Sequence, residues 1–326
     1  MTTQARPGRT VPDVYLIGAP KAGTTSLSRW MASHPDLYFS KPKEPAFWAT
    51  DYPRVREIRG FETRAAYEQL FSGSEARGSN HLAEGSTVYL YSREAVPAIV
   101  AEVGDAARFV VALRNPADLV VSFHRTQQLL LNEDEPDFET AWYRSLEGGL
   151  PGTDLLDPKL VDYSMVGSLG QAVSRILDVV DRSRVHFVRF ENLRDRPEQV
   201  WRDLTSFLSL SQEIVPSFEV HNPSNRTFRS PALHRLRNRP PAILAGPVRR
   251  LRHLSLRSRR FKALRNSLWW REQPKPQVSE EMRVKLTEHF AADVALLAGL
   301  IGEDLSSWAG DRATDQQSPG GREQEL

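Results

Sequence analysis

One stretch constrains the fold more than any other: Val14-Tyr-Leu-Ile-Gly-Ala-Pro-Lys21-Ala-Gly23-Thr24-Thr25-Ser-Leu-Ser-Arg-Trp30. Residues 14–17 are an apolar run of strand length. A short turn holding glycine and lysine follows, and then a helix predicted over 25–33, which His34-Pro35 ends. Backbone N–H groups at a helix start lack internal partners, and the helix dipole adds positive charge there. Strand, small-residue turn and helix therefore make a phosphate cradle. The ordinary nucleotide loop reads G-x-x-x-x-G-K-[ST]. Gly18 and Gly23 keep that glycine spacing, but Thr24 stands where the lysine belongs, and the lysine has moved into the loop as Lys21. A turn using glycine only for its shape is the plainer alternative.

The rest of the chain sets this unit in an α/β pattern. Short or apolar strands are predicted at 37–39, 108–113 and 185–190, and 81–87 reads as a strand running into a turn. Helical spacing runs through 64–71, 93–103, a helix from Pro116, 166–180, 197–208 and 280–300. Alternating strands and helices predict a three-layer sandwich around a central, mostly parallel sheet. Two loops, 51–64 and 131–164, read as variable connections. In domain terms, 1–12 is a flexible lead, 13–308 one α/β domain, and 309–326 a disordered polar tail.

The chain has no cysteine, which removes disulfides, thiolate metal sites and a cysteine nucleophile from consideration. The N-terminus is polar, and no run is apolar enough to span a bilayer, so the expected location is cytoplasmic. A net charge of +2 hides an asymmetry: residues 226–271 hold fourteen Arg and Lys and no acid, so the remainder carries −12. Leu251, Leu254, Phe261 and Leu264 space apolar groups through that segment. It reads as a lid near the site, an amphipathic insertion, a contact to an anionic or membrane surface, or a solvated face. No recognised nucleic-acid module accompanies the charge, so nucleic acid is not expected.

A second element is Arg114-Asn-Pro-Ala-Asp-Leu-Val-Val-Ser122, which leaves the strand over 108–113. An arginine at the carboxyl end of such a strand sits where open sheets bind ligands. A guanidinium fork with a hydroxyl suits a second phosphate, although a helix cap plus a surface serine explains the pair alone. Taken together, the two elements resemble the sulfotransferases that use 3′-phosphoadenosine 5′-phosphosulfate (PAPS). Pro20-Lys21-Ala22-Gly23-Thr24-Thr25 is similar to that family's 5′-phosphosulfate loop, and Arg108 to Pro116 with Ser122 to its 3′-phosphate motif. His34-Pro35-Asp36, Lys43-Glu44-Pro-Ala-Phe47-Trp48, Ala83-Glu84-Gly-Ser86-Thr87-Val-Tyr89-Leu90 and Arg189-Phe-Glu191-Asn192-Leu193 are similar to its heparan-sulfate-type branch. The resemblance covers roughly 14–210.

The resemblance implies a P-loop-like sulfotransferase fold and sulfuryl transfer from PAPS, without a metal, to a hydroxyl or amine of a small-molecule, saccharide or lipid acceptor, leaving PAP. It implies that Lys21, Ala22, Gly23, Thr24, Thr25 and Ser26 hold the 5′-phosphate, with Lys21 stabilising the leaving oxygen. Arg114 and Ser122 would bind the 3′-phosphate, and Arg226 and Arg229 are counterparts of a loop closing over it. Glu44 is the implied base, against the plainer reading of a solvated charge flanked by Lys41 and Lys43. Glu84, His81 and His124 are its rivals, with Glu84 alternatively orienting the loops from below. Phe47, Trp48 and Tyr89 read as acceptor-pocket walls or as core. Two other functions compete: a P-loop small-molecule kinase, disfavoured by the missing Gly-Lys-Thr triplet, and a non-enzymatic polyanion-binding module using 226–271.

Overall fold

A computed structural model describes residues 10–218, 226–228, 270–272 and 278–309. Five parallel strands form the central sheet: β1 (Val14–Gly18), β2 (Leu37–Phe39), β3 (His81–Glu84), β4 (Arg108–Leu113) and β5 (Val185–Arg189). Their order is β2-β3-β1-β4-β5. The helices are α1 (Thr24–Ala32), α2 (Pro53–Arg59), α3 (Arg64–Gln69), α4 (Ser74–Arg77), α5 (Ala95–Val103), α6 (Pro116–Leu129), α7 (Phe138–Leu146), α8 (Tyr163–Gly167), α9 (Leu169–Leu177), α10 (Phe190–Asp195), α11 (Pro197–Phe207) and α12 (Glu280–Ile301). The expected three-layer architecture is observed.

The unbroken apolar runs of β1 and β4 have a simple cause. These strands lie side by side in the middle of the sheet, and both faces are covered. Their register, Val14↔Arg108 through Gly18↔Ala112, brings their carboxyl ends level. From there the chain departs in opposite directions, β1 toward β2 and β4 toward β5. That divergence opens the crevice in which open α/β sheets hold ligands. Gly18 is required by the pairing, since a Cβ there would lie 2.3 Å from the Ala112 nitrogen.

Two expectations are corrected. The predicted helix over 166–180 is two helices, α8 and α9, broken at Ser168. The cause is remote: the Asp293 carboxylate of α12 accepts from the Gly170 N–H at 2.6 Å and the Gln171 N–H at 2.9 Å, capping α9 from outside. The strand predicted to 190 stops at Arg189, and Phe190 opens the short helix α10. The variable connections over 51–64 and 131–164 carry α2 and α7, and the second runs into α8. A separate antiparallel pair, β6 (Arg226–Phe228) with β7 (Trp270–Glu272), sets Arg226 opposite Glu272. Arg229 and most of the basic segment, like 1–9 and 310–326, lie outside the described residues. Among the described residues, no helix is long and apolar enough to cross a membrane.

Candidate active site

Lys21 and Gly23 both have positive φ, 68° and 84°, so the chain curls tightly between β1 and α1. Gly23 is the N-cap of α1. Its missing Cβ matters twice, because the conformation is left-handed and a Cβ would lie 2.2 Å from Leu193 Cδ2 of α10. Gly23→Ala is expected to lower stability by about 2 kcal/mol, seen as a reduced urea midpoint at unchanged slope. Within the loop, the Ala22 N–H bonds the Ala19 carbonyl and the Ser26 N–H the Gly23 carbonyl. Among the described residues, the N–H groups of Lys21, Gly23, Thr24 and Thr25 have no acceptor.

Arg114 joins this loop to the end of β4. Its Nη1 donates to the Lys21 carbonyl at 3.1 Å, and its guanidinium lies 4.7 Å over the Phe190 ring. Arg114 Nε is buried with no partner among the described residues. Asn115 caps α6, its side chain accepting from the Ala117 N–H, and Pro116 fits the first turn. Ser122 is half-buried on α6, and Arg125, three residues on, shares its side of the helix and is buried. Burial, then the charges of Arg114 and Arg125, depress the Lys21 ammonium below the usual lysine range. The charges of Lys21, Arg114 and Arg125 thus lie close enough to act on one another, and a dianion among them would relieve the crowding of Lys21 and give Arg114 Nε an acceptor. Sequence reasoning missed Arg125, although its spacing from Ser122 was a signal for it. It also missed the aromatic floor supplied by Phe190.

Glu44 approaches the same crevice from the loop after β2. Its N–H donates to the Gly85 carbonyl at 2.9 Å, and its φ of 64° turns the chain there. Its carboxylate is claimed from two sides, with Lys43 Nζ at 3.4 Å and Arg59 Nη2 of α2 at 2.8 Å. Lys43 Nζ also donates to Thr24 Oγ1 at 2.9 Å, tying this loop to the phosphate loop. The two lysines beside Glu44 are therefore unlike: the Lys41 side chain is 72% exposed, that of Lys43 20%. Glu44 is no solvated loop charge. Nothing local in the sequence announces Arg59, which α2 returns from fifteen residues away.

The rivals are placed elsewhere. His81 opens β3 at the amino-terminal end of the parallel strands, away from their carboxyl ends, with Nδ1 2.7 Å from Asp13 Oδ2. His124 is buried, its Nε2 2.9 Å from the Glu135 carbonyl oxygen, and burial lowers its pKa. Glu84 is wholly buried beneath the Glu44 loop and accepts from the hydroxyls of Tyr67, Tyr89 and Ser86 at 2.9, 2.8 and 3.1 Å. Burial raises its pKa to about 7. Tyr89 and Trp48 are core, whereas Phe47 is half-buried, stacked on Tyr67 at 4.3 Å with the Arg56 guanidinium 5.7 Å from its ring.

This is an α/β protein of the P-loop-like class whose cradle carries its lysine inside the loop and an arginine from the neighbouring strand. Residues 11–235 match the sulfotransferase domain family, and the chain belongs to it. Mouse heparan sulfate glucosamine 3-O-sulfotransferase 3B1 is 25% identical over 224 residues, 68% of this chain and 52% of that protein. The bifunctional heparan sulfate N-deacetylase/N-sulfotransferase 1 of Caenorhabditis elegans is 26% identical over 220 residues, 66% of this chain and 24% of that protein. The chain thus spans about half the length, or less, of these curated relatives. In fold it resembles the crystal structure of a sulfotransferase from Alicyclobacillus acidocaldarius, with a TM-score of 0.64 at 24% identity, covering 91% of this chain and 98% of that one.

Proposed function

We propose that the chain transfers the sulfuryl group of PAPS to a hydroxyl or amine of a small-molecule, saccharide or lipid acceptor. The observation that carries this reading is the Arg114–Lys21 junction, which joins the displaced loop lysine to a second cationic position at the end of the next strand. When bound, the donor supplies a sulfuryl group on a phosphate leaving group, plus a 3′-phosphate. The unpaired N–H groups of the loop, with the Thr24 and Thr25 hydroxyls, would hold the 5′-phosphate. Lys21 would carry the charge that builds on the leaving oxygen, so the reading assigns no metal. Arg114 and Ser122 would hold the 3′-phosphate, and Glu44 would take the acceptor proton. Arg226 and Arg229 stay candidates for closing over the donor through sequence alone. Domain bounds of 13–308 and a cytoplasmic location belong to the same proposal.

The test is incubation with sulfur-labelled PAPS and a panel of glycan, phenol and sterol acceptors. Label on one acceptor with equimolar PAP is the expected result, and it should survive EDTA. Absence of PAP binding by calorimetry would overturn the proposal. Arg114→Ala should weaken PAP about 10–100-fold, because a charge-assisted pair is lost. It should leave adenosine 5′-phosphosulfate, which has no 3′-phosphate, within about threefold. Equal weakening of both ligands would mean that Arg114 only supports the loop.

A further inference from the structure

We infer that Lys43 is a second cation on the transferred group, brought to it by the base loop while Lys21 serves the leaving oxygen. The inference rests on the sulfuryl-transfer reading, but no part of that reading assigns Lys43 a role. Three observations carry it.

The first is the pair of partners. Lys43 Nζ donates to Thr24 Oγ1 and to Glu44 Oε1. Thr24 opens α1, where the leaving phosphate would sit, and Glu44 would meet the acceptor. In an in-line displacement, sulfur and its three peripheral oxygens lie between those two ends. An ammonium bonded to both ends stands beside them. The second observation is capacity. An ammonium has three N–H donors, and two are used, which leaves one uncommitted among the described residues. Because Thr24 Oγ1 accepts from Lys43, its own O–H proton is directed elsewhere, toward an anion in the loop. The third observation is redundancy. Arg59 already holds the other oxygen of Glu44 at 2.8 Å, so Lys43 is not needed merely to fix the base.

The step balances. Glu44 takes the acceptor proton as the acceptor oxygen bonds to sulfur. The sulfur–oxygen bond to phosphate breaks, and its electron pair stays on the phosphate oxygen beside Lys21. Lys43 keeps its protons throughout and donates to a peripheral sulfuryl oxygen. Burial lowers its pKa, as expected for an ammonium kept out of water until an anion arrives.

PAP lacks the sulfuryl group, so calorimetric titration with PAPS and PAP separates this role from a structural one. Lys43→Met is expected to weaken PAPS about tenfold or more while PAP changes less than about threefold. Equal loss for both ligands would show that Lys43 only braces Thr24, and no loss for either would show no contact; both overturn the inference. If Lys43→Met fails to fold, Lys43→Gln, which keeps an N–H donor without the charge, carries the same comparison. Wild-type protein that binds neither ligand would bring down the sulfotransferase reading itself. PAP binding with an unchanged PAPS-to-PAP ratio in the variants would bring down only the role of Lys43.

Discussion

Lys21→Met is expected to reduce acceptor-dependent PAP release by about 10²–10³-fold and, at the same time, to raise the melting temperature of the ligand-free protein. The two effects have one origin. Lys21 is held where burial, Arg114 and Arg125 all disfavour its charge, so its folded-state pKa lies below the unfolded value near 10.5. At neutral pH the unfolded chain binds that proton more readily, and the charged lysine destabilises the fold. The penalty is complete below the folded pKa and fades as pH rises toward the unfolded one. The stability gap between variant and wild type should therefore narrow between pH 7 and pH 10, as thermal melts would show. PAP should also narrow it, since an anion in the crevice stabilises the wild-type lysine more than a methionine. Such a position is retained for chemistry, because an ammonium without solvent is strongest where leaving-group charge appears. Unaltered turnover in the variant would remove Lys21 from the mechanism. A fall in melting temperature would show that the lysine is tolerated for packing instead.

How far this site can be read from sequence depends on how locally each part is specified. The loop from Gly18 to Thr25 is legible because strand, turn and helix are consecutive, and two glycines with one lysine have few other uses. Arg114 and Ser122 are legible because a buried strand followed by Asn-Pro fixes where a helix starts. The surroundings of Glu44 are not. Lys41 and Lys43 look alike in sequence, yet one is solvated and the other is folded onto Thr24, and only the approach of the β2 loop to α1 decides between them. Arg59 reaches Glu44 because α2 packs back over the loop. The break between α8 and α9 was hidden for the same reason, since Asp293 lies more than a hundred residues downstream. Periodicity reports burial of a face; it carries no record of a cap supplied from another helix.

Glu84→Ala should cost about 3–5 kcal/mol of stability, because it strips the acceptor from three buried hydroxyls at once. Each hydroxyl is a relay to the base loop. Ser86 Oγ accepts from the Ala46 N–H at 3.0 Å, the Tyr67 hydroxyl from the Trp48 indole N–H at 3.0 Å, and the Tyr89 hydroxyl from the Trp48 backbone N–H at 3.2 Å. All three then donate to Glu84. The loop that carries Glu44 therefore hangs on one buried carboxyl group, and the alanine variant should lose turnover along with stability. Glu84→Gln keeps an acceptor for the tyrosines and a donor for Ser86, so it should fold and turn over near wild type at pH 7. The pH dependence separates the roles further. Burial raises the Glu84 pKa from 4.5 to about 7, so its contribution is complete below 4.5 and is lost as pH climbs through 7. Between pH 5 and pH 8, urea titrations of wild type should show a decline of at most about 3 kcal/mol from this group. The glutamine variant, having no proton to lose there, should lack that component. A wild-type decline that persists undiminished in Glu84→Gln would place the titrating group elsewhere. Identical stability of the alanine and glutamine variants would mean that the three hydroxyls find other acceptors, and that the Glu44 loop is held by its bond to the Gly85 carbonyl and by Arg59 rather than from below.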